Sequence, residues 1–449
     1  MNCLSQYYKC SERHARMAPS GALSEKSGYF RFGEDTLYGQ YCGRQPAASL
    51  AEPLCDALQE VHLENGTVRL PFDVSQVVDS LRGEMYANDW RNGNANSVLA
   101  SLYYFIRPLM PVGVRKHLQK IRLRGWEKIP FPHWPVDRTV DNLLEQVLLF
   151  SMRAQNLKQI PFIWFWPEQA SSCALMTHDV ESSLGVDLCP MLMDVNDTYG
   201  IKASFQVIPE ERYHVTPAFL QSIRSRDFEV VVHDLNHDGH LFRDRKGFVE
   251  RAARINAYGK QFGATGFRAG VLYRNQLWYD LLDFEYDMSV PNVAHLDPQR
   301  GGCCTVMPYF VGKVLEIPVT TTQDYTLFHI MNDYSTTLWE RQIELIMEKH
   351  GLISVVIHPD YLTSARAKNT YEGLLAHLAL LKTRKNLWIT MPGEVNTWWR
   401  QRSEMTLVEE DGQLRIDGAG SERASIAYAT EKEGQLVLSI AESSTVSLR

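Results

Sequence analysis

The chain has 449 residues, of which 45% are hydrophobic and 22% charged, enough for a main domain with a large core and additions at its ends. A net charge of -7 excludes a general nucleic-acid binder, which carries a basic surplus. Met1 to Ser20 lacks the pattern of a secretory leader, and the longest apolar run, Leu99 to Val112, is interrupted by Arg107, so a cytoplasmic protein without stable membrane insertion is expected.

Residues 1–30 are polar and aperiodic and are expected to be poorly ordered. An N-terminal α+β extension over 31–160 follows. Its signals are a hairpin alternating about Asn65-Gly66 between Glu60 and Leu70, and helical periodicity over Ser75–Arg82 and Val140–Leu157. A basic, partly amphipathic stretch, Arg115–Arg124, reads foremost as a solvated helix face and otherwise as a contact for anionic lipid or a phosphate-bearing substrate. The Pro- and Trp-rich piece from Pro130 to Pro135 breaks structure before the second helix. The eight cysteines are scattered, with Cys303 and Cys304 adjacent and no CxxC pair, which predicts reduced, mostly buried thiols.

Over residues 161–403 strands and helices alternate. Strands are predicted at 173–179, 203–208, 228–233, 266–269, 286–290, 314–319, 353–358 and 387–390. Helices are predicted at 189–199, 217–224, 247–262, 276–282, 336–349 and 371–382. Such alternation means parallel strands with crossover helices, and with this many strands a closed barrel is favoured over an open sheet. The tail, 404–449, reads as a small β appendage, with a hairpin turning at Asp411-Gly412 and strands either side of Lys432-Glu433-Gly434.

Chemistry-bearing residues collect at strand ends, where α/β folds place their sites. His233 and His237 directly follow Val230-Val231-Val232; at i and i+4 two imidazole nitrogens can reach one cation at about 2.0–2.1 Å. Asp179 and Glu181 lie two apart at the end of another strand, so both can face one site, one binding metal while the other serves as general base, or they are helix-capping or surface groups. His358 terminates the apolar run Leu352–Ile357, a position suited to delivering a proton to a leaving atom or to a satisfied core imidazole. Arg268, among the small neighbours Gly266, Ala269 and Gly270, can orient a carboxylate through a bidentate pair or form a structural ion pair.

These pieces, in this order, resemble the polysaccharide deacetylases that share the NodB homology domain, carbohydrate esterase family 4. The likeness spans roughly residues 170–400. That family carries Thr-Phe-Asp-Asp on its first strand, His-Ser/Thr-x-x-His after the third, an Arg motif after the fourth and a His ending a late strand. Here the first reads Thr177-His178-Asp179-Val180-Glu181 and the second His233-Asp234-Leu235-Asn236-His237. Val180 stands where the family has its second Asp, and Glu181 matches a variant in which the ligand is displaced by one position.

The resemblance implies an α/β fold, a distorted (β/α)7 barrel, and a metal-dependent hydrolase removing an acetyl group from an N- or O-acetylated sugar or glycan. It implies Glu181, His233 and His237 as ligands of a divalent metal, Zn2+ foremost. Asp179 matches the catalytic base, Arg268 the arginine that holds the base, and His358 the general acid, while Asp287 matches a fourth motif. The alternatives are a catalytically inactive glycan-binding protein of the same fold and a cyclic-amide hydrolase of the same superfamily. With no leader evident, the expected substrate is a nucleotide-linked or lipid-linked glycan intermediate. Tyr273, Trp278, Tyr325, Phe328, Tyr334 and Tyr361 are candidates to stack on sugar rings.

Overall fold

The structure is a computed structural model that describes residues 2–90, 123–410 and 413–441. It divides into two compact units. One comprises Ala87–Asp137 and Cys173–Asn396; the other comprises Met1–Tyr86, Arg138–Ser172 and Thr397–Arg449.

The first unit is built on seven parallel strands. They are β1 (Ser172–Val180), β2 (Ser204–Val207), β3 (Glu229–His233), β4 (Gly266–Arg268), β5 (Tyr286–Asp287), β6 (Val314–Glu316) and β7 (Leu352–Ile357). Pairing runs β7-β1-β2-β3-β4-β5-β6, so the seventh of these strands returns beside the first and the sheet curls, and Leu387–Thr390 also pairs with β1. The gap between β6 and β7 is bridged by the segment that continues β6. Thr320 Oγ1 donates to Leu352 O at 2.7 Å and accepts from Ser354 N at 2.8 Å, and Thr321 N donates to Ser354 O at 3.3 Å. The result is a distorted α/β barrel whose seam is held largely by hydroxyl groups.

Both faces of each strand are buried, which explains the nearly continuous apolar runs. On β1, Ala174, Met176 and Val180 face an outer core shared with Phe205, Val230, Val232, Phe267, Val355 and Ile357. Residues of the opposite parity, including Thr177 and Asp179, line the interior, in register with Ser204 and Gln206 of β2.

Helices α1 (Ser183–Thr198), α2 (Pro217–Arg224), α3 (Arg245–Phe262), α4 (Thr337–Met347) and α5 (Ala365–Lys385) supply the crossovers. Their starts are local chemistry: Ser182, Thr216, Asp244 and Ser364 each accept a hydrogen bond from a first-turn amide. The first helix therefore begins at Ser183 rather than at Cys189 as expected, with Pro190 inside it. Gln276–Leu281 is a 3-10 helix rather than an α-helix.

In the second unit, helix Thr139–Ala154 buries Val140, Leu143, Leu144, Val147 and Leu148 as their spacing predicts. The Asn65-Gly66 hairpin forms between His62–Glu64 and Thr67–Leu70, with both turn residues at positive φ. Strand Gln159–Ile163 pairs with Ile426–Lys432, which pairs with Gln435–Ile440. The tail is thus part of this unit's sheet.

Residues 1–30, expected to be poorly ordered, contain a helix at Cys3–Tyr8. Leu4 and Tyr8 are fully buried, and Tyr7 donates to Asp141 Oδ1 at 3.0 Å. Pairing between distant stretches leaves no local pattern, which is why neither arrangement could be read from the sequence. None of the eight cysteines is joined in a disulfide; Cys55 is half-buried and the rest are buried. The basic stretch, except Leu123 and Arg124, and the run from Leu99 to Val112 lie outside the described residues.

Candidate active site

Six side chains named from the sequence converge at the carboxyl ends of β1, β3, β4 and β7. Strand parity turns Asp179 and Glu181 to the same side, while Val180 points into the outer core. His237 Nε2 stands 2.8 Å from Glu181 Oε1, and His233 Nε2 lies 3.7 Å from both that oxygen and Asp179 Oδ2. His358 Nε2 is 3.4 Å from Glu181 Oε1. Glu181 is the most open of the six, with 22% of its side chain exposed.

The turn that carries the two imidazoles is fixed by Asp234, which has positive φ and whose carboxylate accepts from Leu235 N at 2.6 Å and Gly270 N at 3.1 Å. A Cβ on Gly270 would meet Asp234 Oδ2 at 2.4 Å and His237 Cδ2 at 2.8 Å, so only glycine permits this approach. Arg212 donates to Asn236 O at 3.1 Å and to His237 O at 2.5 Å, pinning the far side of the turn. Asp234 thus has a structural role.

His233 Nδ1 is 3.1 Å from Arg268 O, which selects the tautomer protonated at Nδ1 and leaves Nε2 with its lone pair inward. Both His233 Nε2 and His237 Nε2 are buried without a hydrogen-bond partner; the 2.8 Å approach of His237 to Glu181 is close but not aligned for a hydrogen bond. Glu181, His233 and His237 bring one donor atom each within 4.8 Å of one another. Two orphaned imidazole nitrogens beside an ionised carboxylate fit a divalent cation with N and O ligands. Burial alone would raise the Glu181 carboxyl, but His237 and His358 prevail and hold it well below the usual range.

Arg268 lies fully buried inside the barrel. Its Nη1 donates to Asp179 Oδ1 at 2.7 Å and to Thr177 Oγ1 at 2.8 Å, and its Nε donates to Met288 O at 3.1 Å. Burial pushes the Asp179 carboxyl up, yet Arg268 and then His233 bring it below its ordinary value.

Asp324 was missed in the sequence. One of its oxygens is 2.7 Å from His358 Nδ1 and the other accepts His358 N at 2.7 Å. A carboxylate just beyond the continuation of β6 satisfies the same strand-end rule that found the others. Burial lowers the basicity of His358, but Asp324 and Glu181 outweigh it and hold the imidazole well above its usual value. Asp287 is not part of the cluster: it faces Ser289, accepting from its amide and its hydroxyl at 2.9 Å each, beside Glu316.

Of the aromatic candidates, Tyr361 packs on His358 at 4.7 Å between centroids and Tyr325 joins it at 5.7 Å. Phe328 is buried in the outer core with Tyr334 stacked on it, and Trp278 packs on Phe242 and Phe248.

No protein-family model matches the chain, and no curated protein matches it either. Solved structures are similar over about half of it. A Mycobacterium smegmatis protein named as a polysaccharide deacetylase aligns at TM-score 0.43 and 17% identity, covering 53% of this chain and 93% of the other. Puue allantoinase aligns at 0.41 and 12%, covering 52% and 92%. A Pseudomonas aeruginosa PAO1 protein, also named as a polysaccharide deacetylase, aligns at 0.41 and 11%, covering 52% and 93%. These are distant likenesses of overall fold.

Proposed function

We propose that residues 161–403 form a metal-dependent hydrolase that removes an acetyl group from an N- or O-acetylated sugar or glycan. The observation that carries this reading is the pair of buried, unpartnered Nε2 atoms of His233 and His237 converging on Glu181 beside a second, separately held carboxylate. Glu181, His233 and His237 would hold the divalent cation, with Zn2+ the natural occupant of a two-imidazole, one-carboxylate set. When bound, such an ion polarises the acyl carbonyl and acidifies water.

The chain's own groups do the rest. Asp179, kept ionised by Arg268, takes the proton from the attacking water at its inward oxygen. Arg268 is itself fixed by Thr177 and Met288, so the base cannot rotate away. His358, charged by its contact with Asp324, gives its Nε2 proton to the departing sugar nitrogen or oxygen. The base and the acid thus come from different strands and meet the acyl group from different directions, as hydrolysis of an amide or ester needs. Val180, at the position of the family's second Asp, points away from the site, so Glu181 supplies the carboxylate ligand in its place.

The test is metal content by mass spectrometry together with acetate release from a panel of acetylated sugars, nucleotide sugars and lipid-linked sugars. One tightly held divalent ion with acetate release that is lost in Asp179→Asn is expected. A protein that retains the ion yet releases acetate from nothing in the panel would overturn the proposal in favour of a glycan-binding protein or a cyclic-amide hydrolase.

A further inference from the structure

Two of the proposed cation ligands stand at a spacing that the sheet does not set. Glu181 follows β1 and His237 follows β3, and β2 lies between those strands, so their axes are two ladder spacings apart, about 9.5 Å. Pairing of β1 with β2 ends at Val180 and Val207, and pairing of β2 with β3 ends at Val207 and Val232. Beyond those last rungs Glu181 Oε1 and His237 Nε2 nevertheless approach to 2.8 Å.

The segment after β2 supplies what the ladder lacks. Tyr213 Oη accepts from Ile208 N at 2.8 Å and donates to Val180 O at 2.7 Å, so one hydroxyl spans the ends of β1 and β2 at the peptide that leads into Glu181. Its neighbour Arg212 reaches the other ligand: Nε donates to Asn236 O at 3.1 Å and Nη2 to His237 O at 2.5 Å. That turn needs holding, because Asp234 and His237 both have positive φ, a conformation that costs any residue with a Cβ. The segment is anchored in its turn, with Glu210 N donating to Leu235 O at 3.0 Å and the Glu210 carboxylate paired with Arg254 of α3. Adjacent residues thus grip the Glu181 side and the His237 side at once.

We propose that Arg212 and Tyr213 are positioning residues, a two-sided brace that sets the gap between Glu181 and His237 and thereby selects a small divalent cation. The brace rests on the cation site of the hydrolase reading but can fail separately from it. Two ligand atoms 2.0–2.1 Å from one ion stand about 3.3 Å apart at a tetrahedral angle, and a larger ion spreads them further. A brace that resists spreading therefore favours Zn2+ over the larger Mn2+ by more than the donor set alone would. Releasing either side lets the gap widen, which costs Zn2+ more than Mn2+.

The test measures Zn2+ and Mn2+ affinity of the full chain by competition with a chromogenic chelator. Tyr213→Phe keeps the ring and removes both hydroxyl bonds, and Arg212→Met releases the two carbonyls. Each is expected to weaken Zn2+ about tenfold, as loss of a group supporting a ligand does, and Mn2+ by less than about threefold. The double variant should lie within about twofold of the weaker single one, because a brace released on one side no longer acts. Zn2+ affinity unchanged in both single variants overturns the proposal. So do equal losses for the two ions, which would mark general structural support, and single losses that multiply in the double variant, which would mark two unrelated contacts. Selective loss of Zn2+ in the variants of a protein that releases no acetate would uphold the brace and sink the hydrolase reading. A wild type that takes up no Zn2+ would overturn both.

Discussion

Arg268 reaches across the barrel from β4 and places one nitrogen 2.7 Å from Asp179 Oδ1 and 2.8 Å from Thr177 Oγ1, so the same guanidinium sets both the position and the charge of the proposed base. Arg268→Met removes the group that offsets burial, and the Asp179 pKa rises. The acid limb of the kcat/KM profile is expected to move to higher pH, with turnover near neutrality reduced by about 100- to 10,000-fold as base function is lost. An unshifted acid limb in a folded, metal-loaded variant would dismiss Asp179 as the base.

The two carboxylates on β1 should separate by experiment. Glu181→Gln is expected to lower the bound metal, whereas Asp179→Asn retains it and loses turnover. Metal analysis of purified proteins decides the matter, and the reverse pattern would exchange the two roles.

Gly270→Ala tests the support of the His237 turn. The added methyl would collide with Asp234 Oδ2 and His237 Cδ2, so His237 must move. A stability loss of about 1–3 kcal/mol by denaturant unfolding is expected, together with weaker metal binding. Unaltered metal affinity would show that the turn has slack.

Asp324→Asn removes the carboxylate that keeps His358 protonated. The His358 pKa falls, so the basic limb of the pH profile is expected to move to lower pH while metal content is unchanged. A profile identical to that of the wild type would exclude His358 as the acid.

The segment just after His237 is tied down by Asp238, whose two oxygens each lie 2.7 Å from a nitrogen of Arg251. Although partial burial acts to raise it, the Arg251 pair and the His240 amide bring the Asp238 carboxyl from 3.8 to about 2. A depressed acid contributes stability above its unfolded pKa and loses it as pH falls through the folded value. The window is therefore pH 3.8 down to about 2, and Arg251→Ala should flatten this part of the stability curve. A curve of unchanged slope would show that the pair contributes nothing.

The interior of the barrel was the more legible part of the molecule. An apolar run ending in His or Asp states both that a strand is buried and where its reactive end lies, and β1, β3 and β7 all follow that form. Asp324 escaped because its strand is short and continues as an irregular Thr-rich segment without apolar alternation. What joins the pieces of the second unit was illegible for another reason. Arg402 is buried among the carbonyl oxygens of Tyr7, Ile163 and Trp164, stretches far apart in the chain, and no periodicity within any one of them announces the others.

The hydroxyl seam between the ends of the curled sheet has an unequal reach. Thr320 and Thr321 lead within a few residues to Asp324, and Ser354 leads likewise to His358, whereas Glu181, His233 and His237 hang from fully laddered strands. Loosening this closure, as Thr320→Val would, is expected to slacken Asp324 and the proposed proton donor it holds while the proposed cation ligands stay in place, which would make the two halves of the proposed chemistry mechanically separable.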